Sequence, residues 1–228
     1  MSWIITPEEK TPLDQDYRNV SLLLHGDGTN GSTTIVDNSP SPKTVTAIGN
    51  AQLSTAQSKF GGTSIAFDGT GDQISISAST DLQFGTGDFT IEGWCYLLSA
   101  PTTGYPDLYR NVNGARFINF RKNTSFAATT QNAVIASSPS GASINQWFHY
   151  AVTRSGDTFR VFLNGVSGTP GIFTGAWYAI GEVLVGSGSN AEGLHGYIDE
   201  LRITKGVARY TSNFTPPTAP FPDAGPAQ

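Results

Sequence analysis

Asp199 and Glu200 stand side by side within Gly196-Tyr-Ile-Asp-Glu-Leu-Arg-Ile-Thr204, the densest placement of carboxylates in any alternating stretch of the chain. Cleavage of a glycosidic bond needs two carboxyl groups flanking one sugar, about 5 to 10 Å apart. Residues i and i+2 of a strand share a face, whereas neighbours point to opposite faces. The adjacent pair therefore cannot serve one substrate, and Glu92 stands alone on its own strand, so catalysis is not expected. His25, His149 and His195 are far apart and lack the spacing of a zinc site. No serine lies in a Gly-x-Ser-x-Gly elbow, and no glycine-rich phosphate loop leads into a helix. Asp199 shares parity with Tyr197, Leu201 and Ile203, which turns it inward unless a bulge intervenes. A buried carboxylate then needs loop amides, an arginine or a cation.

Aromatic rings in loops are the other chemistry on offer, because a sugar ring stacks on a flat apolar face. Trp177 and Tyr178 follow Gly171-Ile-Phe-Thr-Gly175, and they could edge a glycan platform with Asn190 and Asp107 as polar contacts. The competing role for such rings is to cover the ends of the folded body. Tyr105 and Tyr109 also fall in loop-like sequence. Trp94 and Trp147 lie on strand patterns and are expected in the core.

These residues must be positioned by strands. Phe89, Ile91, Gly93 and Cys95 share one parity while Thr90, Glu92, Trp94 and Tyr96 share the other. The same grammar recurs over residues 147–153, 158–163 and 196–204, bounded by Gly, Asn, Asp and Ser. Val20-Ser-Leu-Leu-Leu-His25 reads as a buried first strand, and Arg154-Ser-Gly-Asp157 as a hairpin loop followed by a second reversal at Asn164-Gly165. Shorter strands are expected over residues 45–53, 64–76, 117–120, 133–136 and 182–186. Asp68-Gly-Thr-Gly-Asp72 reads as a turn. Residues 1–18 are polar, with Pro7 and Pro12, and form an N-terminal arm. Residues 19–214 form one all-β, two-sheet antiparallel sandwich, and residues 215–228 a Pro-rich extended tail.

Composition narrows the function classes. With 228 residues, 38% of them hydrophobic, the chain can bury a sizeable core. The net charge of -5 comes without a basic block, so nucleic acid is not an expected partner. No run approaches the roughly 18 apolar residues that span a bilayer, so no membrane partner is expected. The first residues lack the apolar core of a secretory signal. Cys95 is the one cysteine, expected as a buried free thiol.

The succession Leu22-Leu-Leu-His-Gly-Asp-Gly28, Thr33-Thr-Ile-Val-Asp-Asn-Ser39, Ser64-Ile-Ala-Phe-Asp-Gly69, Phe89-Thr-Ile-Glu-Gly-Trp94, Gln146-Trp-Phe-His149, Asn164-Gly165 and Gly196-Tyr-Ile-Asp-Glu-Leu-Arg-Ile203 resembles the concanavalin A-like lectin/glucanase superfamily, nearest its laminin-G-like and pentraxin-like jelly rolls. The resemblance implies two antiparallel sheets of six or seven strands each, binding of glycans or proteins more often than catalysis, and a structural Ca²⁺ where the first and last strands meet, with Asp27, Asp37 and Asp199 as candidate ligands. The Glu-x-Asp-x-Glu triplet of glucanases on this scaffold is missing. The ending Gly206-Val-Ala-Arg-Tyr-Thr-Ser-Asn-Phe-Thr-Pro-Pro217 resembles the copies found in structural proteins of tailed bacteriophages. That implies a capsid decoration or tail appendage in the virion, made in the host cytoplasm. Its partners would be other virion proteins and copies of itself. A carbohydrate-binding module or adhesin for cell-surface polysaccharide is the alternative.

Overall fold

The computed structural model describes residues 13–102, 104–111, 113, 116–177, 181–188 and 192–227. Among the described residues sixteen strands run in order as β1 (Val20–Leu24), β2 (Val45–Ile48), β3 (Gln52–Ser54), β4 (Ser64–Asp68), β5 (Gln73–Ile76), β6 (Phe89–Leu97), β7 (Asp107–Asn111), β8 (Arg116–Phe120), β9 (Phe126–Thr130), β10 (Val134–Ser137), β11 (Trp147–Ser155), β12 (Thr158–Leu163), β13 (Val166–Ser167), β14 (Gly171–Ile172), β15 (Val183–Val185) and β16 (His195–Lys205). Sheet A has the order β13-β12-β11-β6-β16-β4-β3, with β1 also on β16 and β14 also on β12. Sheet B runs β10-β9-β8-β7-β15-β5-β2. All pairings are antiparallel. The architecture is the expected two-sheet jelly-roll sandwich. Sheet A carries nine strands rather than six or seven because two-residue strands at 166–167 and 171–172 extend its β12 edge.

The two parities of β6 divide as the sequence indicates. Phe89, Ile91, Cys95 and Leu97 enter the inter-sheet core with Phe148, Tyr150 and Val152 of β11 and Leu201 and Ile203 of β16. Each such side chain contributes about 1.5 to 3 kcal/mol by leaving water. The hairpin closes on Gly156 and Asp157, with Ser155 opposite Thr158. Asn164 and Gly165 then both take positive φ, 49° and 78°, as a tight primed turn requires. Cys95 is a fully buried free thiol whose ionisation burial suppresses.

The other face of sheet A is covered by the chain's own ends. The stretches expected as arm and tail lie along it from Leu13 onward and out to residue 227. The Asp14 amide donates to Ala224 O at 2.9 Å, and the Phe221 amide to Glu200 Oε2 at 2.8 Å. Thr153 donates to Tyr210 O at 2.9 Å, and Thr90 to Val207 O at 2.9 Å. Tyr210 and Phe214 stack at 3.5 Å, and the Arg202 guanidinium sits 3.8 Å from the Phe221 ring.

Beneath this cover Glu92 is fully buried. Its Oε1 accepts from Arg202 Nη2 at 2.7 Å and Nε at 3.0 Å, and its Oε2 from the Tyr210 hydroxyl at 2.8 Å. His149 Nε2 lies 3.4 Å from Oε2, an ion-pair distance rather than a formed hydrogen bond. Arg202 and Arg209 both continue to Asp14, at 3.0 and 2.7 Å. Burial alone pushes the Glu92 carboxyl upward. The Arg202 charge, His149 and Arg209 outweigh it and hold the carboxyl at about 2. Its folded pKa lies below the free value, so the stabilisation is complete above about pH 4.5 and is lost as pH falls through about 2. Chemical denaturation across that window should show a loss of about 3 kcal/mol attributable to Glu92. Arg202→Ala, which strands the buried carboxylate, should cost about 3 to 5 kcal/mol at pH 7.

Candidate functional site

Trp177 does not offer a platform to solvent. It is fully buried, with its ring 5.2 Å from that of Phe159 and 5.6 Å from that of Phe89. The cause is the buried Arg154, whose Nη1 donates to Gly85 O at 3.1 Å and Gly175 O at 2.9 Å while Nη2 reaches Phe173 O at 3.2 Å. This clamp draws residues 173–177 inward, and the Trp177 amide closes on Gly85 O at 2.6 Å. Tyr178 and Asn190 lie outside the described residues. Trp94 is buried, but on the covered outer face of sheet A against Phe60 and His149, and Trp147 is half-buried beside Tyr96.

Asp107 belongs to a different site. A bulge in the β7–β8 register lies between Asp107, opposite Asn119, and Tyr109, opposite Ile118. It sends Leu108 and Tyr109 into the core and turns both Asp107 and Arg110 to the outer face of sheet B. There they line a groove of about 420 Å³ with Tyr105, Phe117, Asn119 and Arg121. Tyr105 is 38% exposed. Arg121 lies 5.0 Å from the Tyr105 ring and Arg110 5.7 Å from the Phe117 ring. Asp107 is 2% exposed and accepts from the Ser187 hydroxyl at 3.2 Å. Burial pushes its carboxyl up to about 8, against the opposing pull of Arg110, Ser187 and Asn119. Asn119, 7% exposed, keeps its Oδ1 buried without a partner, and Arg110 Nε is likewise unpartnered. The groove thus pairs ring faces with unanswered polar atoms, the usual make-up of a small-ligand site. Asp107 is legible in the sequence as a polar contact, whereas the only signal for Phe117 and Asn119 is their parity, opposite to that of the core residues Ile118 and Phe120.

The three aspartates considered for a cation separate into two places. Asp37 accepts from the amides of Leu23 at 3.0 Å, Ser39 at 2.9 Å and Lys43 at 2.7 Å and from the Ser39 hydroxyl at 3.0 Å. Both its oxygens are thereby engaged in ordering its loop. Asp27 and Asp199 meet at the fork where β16 leaves β4 for β1. The parity argument fails for Asp199, because β16 has a bulge between Asp199 and Arg202 and Glu200 adopts φ 53°. Asp199 therefore lies opposite Trp94, on the outer side. Its Oδ2 accepts from the amides of Lys59 at 2.7 Å and Phe60 at 3.1 Å, and its Oδ1 is buried without a partner. Burial pushes Asp199 up to about 7, the two amide bonds opposing and the Glu200 and Asp27 charges adding to it. Gly61, at φ 62°, leaves the space the Asp27 carboxylate fills; any Cβ there would collide with it. Glu200 turns instead to His25 Nδ1, at 2.9 Å. Two carboxylates fit a hard cation only in part, since Ca²⁺ takes six to eight oxygens. Among the described residues no group of three or more His, Cys, Asp or Glu side chains is arranged to hold a metal.

A laminin-G domain pattern of the concanavalin A-like lectin/glucanases superfamily matches residues 68–209, and the chain belongs to that superfamily. Among solved structures it is similar to the binding domain of Paraclostridial Mosquitocidal Protein 1, with TM-score 0.66, 16% identity and coverage of 85% of this chain and 50% of that one. Domain 4 of AbnA, a GH43 extracellular arabinanase from Geobacillus stearothermophilus, in complex with arabinotriose, gives TM-score 0.65 at 17% identity over 83% of this chain and 94% of that one. A botulinum neurotoxin type C structure, described through the dependence of its cell entry on two ganglioside molecules, gives TM-score 0.60 at 16% identity over 84% and 49%. The chain spans about half the length of both toxin chains. At these identities the likeness establishes the fold. No curated protein sequence matches the chain.

Trp177→Ala should lower unfolding stability by about 3 to 5 kcal/mol, as loss of a fully buried indole does. Chemical denaturation of the variant beside the parent measures this loss.

Proposed function

We propose that the protein is a non-enzymatic glycan-binding module whose site is the groove on the outer face of sheet B. The observation that carries this reading is the groove's combination of Tyr105 and Phe117 rings with unpartnered buried polar atoms, Asn119 Oδ1 and Arg110 Nε. Among the described residues of its lining Asp107 is the one carboxylate, whereas a glycosidase sets two around one sugar. The arabinotriose held by the domain of AbnA and the gangliosides of the botulinum protein support a sugar as ligand on this scaffold.

The setting we propose is the outside of a tailed-phage virion, as a capsid decoration or tail appendage. The resemblance of residues 206–217 to phage structural proteins supports it, and capsid or tail proteins and further copies of the chain would be its neighbours there. Mass spectrometry of purified particles should find the protein at many copies per virion; its absence from particles sinks this placement while leaving glycan binding intact. A structural Ca²⁺ between Asp27 and Asp199 is part of the proposal, supported by the unanswered Asp199 Oδ1 beside a second carboxylate.

Two measurements test the binding site and the cation. Tyr105→Ala should weaken binding of the preferred oligosaccharide about tenfold while costing about 1 kcal/mol of stability or less, since the ring is partly exposed. Millimolar Ca²⁺ should raise the melting temperature of the parent and leave that of Asp199→Asn unmoved; an identical response of the two removes the cation from the fork.

A further inference from the structure

The groove on sheet B is basic in a chain that is acidic overall. Arg110 on β7 and Arg121 just past β8 face a single carboxyl, Asp107, while the whole chain carries -5. Arg110 meets Asp107 at 4.0 Å, the outer limit of an ion pair, and its buried Nε finds no acceptor. Arg121 forms no ion pair among the described residues and rests 5.0 Å from the Tyr105 ring. Burial pushes the Asp107 carboxyl up to about 8, and even fully ionised this one carboxylate offsets only one of the two guanidiniums. A guanidinium presents a rigid fork of donors that an oxyanion answers in matching geometry, and neutral hydroxyls answer it less well. Asn119, 7% exposed, lines the same groove and its Oδ1 has no hydrogen-bond partner.

We infer that the groove takes an acidic oligosaccharide, its ring against Tyr105 and Phe117 and its oxyanion answered by Arg110 and Arg121. This deepens the glycan-binding reading and rests on it. The shared chemistry is a sugar bearing an oxyanion, and its source is either a carboxylate, as in uronic and sialic acids, or a sulfate ester.

Calorimetric titrations of the full chain with trigalacturonic acid, its neutral methyl ester, a sialylated trisaccharide, a sulfated tetrasaccharide and arabinotriose test the inference. At least one acidic ligand should bind about tenfold or more tighter than the neutral ones at low salt, with the advantage shrinking as ionic strength rises. Which acid wins identifies carboxylate or sulfate as the source. Arg121→Gln and Arg110→Gln should each remove that advantage. Near-UV dichroism of both variants, compared with the parent, separates loss of charge from loss of fold. Equal affinity for trigalacturonic acid and its ester, or an acidic preference that survives both substitutions, overturns the inference. If neutral sugars then still bind and Tyr105→Ala still weakens them, the glycan reading stands without its charge preference. Silence from every ligand overturns both.

Discussion

A fully buried carboxylate, Glu92, sets the terms for the rest of this sandwich. A sheet that carries a charge in the middle of a strand must bring counter-charges and exclude water from them, or lose several kcal/mol to desolvation. Arg202 from the neighbouring strand supplies the first counter-charge, and Tyr210 and Asp14 tie the network to segments near the two ends of the described chain. The cover of sheet A's outer face follows from that requirement. Thr90 and Thr153, small and polar on the same face, bond the backbone of the covering segment, and Phe221 closes it beneath Arg202. With the middle of that face occupied, the outer face of sheet B carries the groove lined by the Tyr105 and Phe117 rings.

Two bulges decide where the chemistry points. The one on β7 turns Asp107 and Arg110 to the same side, where a regular strand would separate residues three apart. The one on β16 moves Asp199 out of the core and lets Glu200 reach His25 and the covering segment. In both cases a local break in pairing, held by surrounding hydrogen bonds, converts a strand into a carrier of functional groups. The sandwich itself is stabilised by regular alternation on either side of each break.

Much of the fold was legible because strict alternation in β6, β11 and β12, and in β16 on either side of its bulge, leaves little freedom of register. Of the strands the sequence does not announce, β13 and β14 are two residues long, while β7 and β9 read Asp-Leu-Tyr-Arg-Asn and Phe-Ala-Ala-Thr-Thr. They lack the bulky branched residues that announce a strand, and β7 is bulged. The site was less legible for the same reason. Asp107 could be picked as a polar contact, yet its companions depend on which strands lie side by side in sheet B, a long-range fact with no local signature. Trp177 shows the converse: its loop-like sequence fits either a glycan platform or the covering of an end of the sandwich, and a buried arginine binding three carbonyl oxygens from the loops at Gly85, Phe173 and Gly175 draws it into the core. Alternation has no bearing on residues that an arginine positions from another strand.

The most direct measurement of the central claim is backbone amide NMR of the isotope-labelled chain, titrated with an oligosaccharide to saturation. The account predicts shift changes concentrated in β7, β8 and β9 around Tyr105, Phe117, Asn119 and Arg121, with sheet A's covered face unmoved. Changes clustered at the fork of Asp27 and Asp199, or along β16, would contradict the placement of the ligand on sheet B.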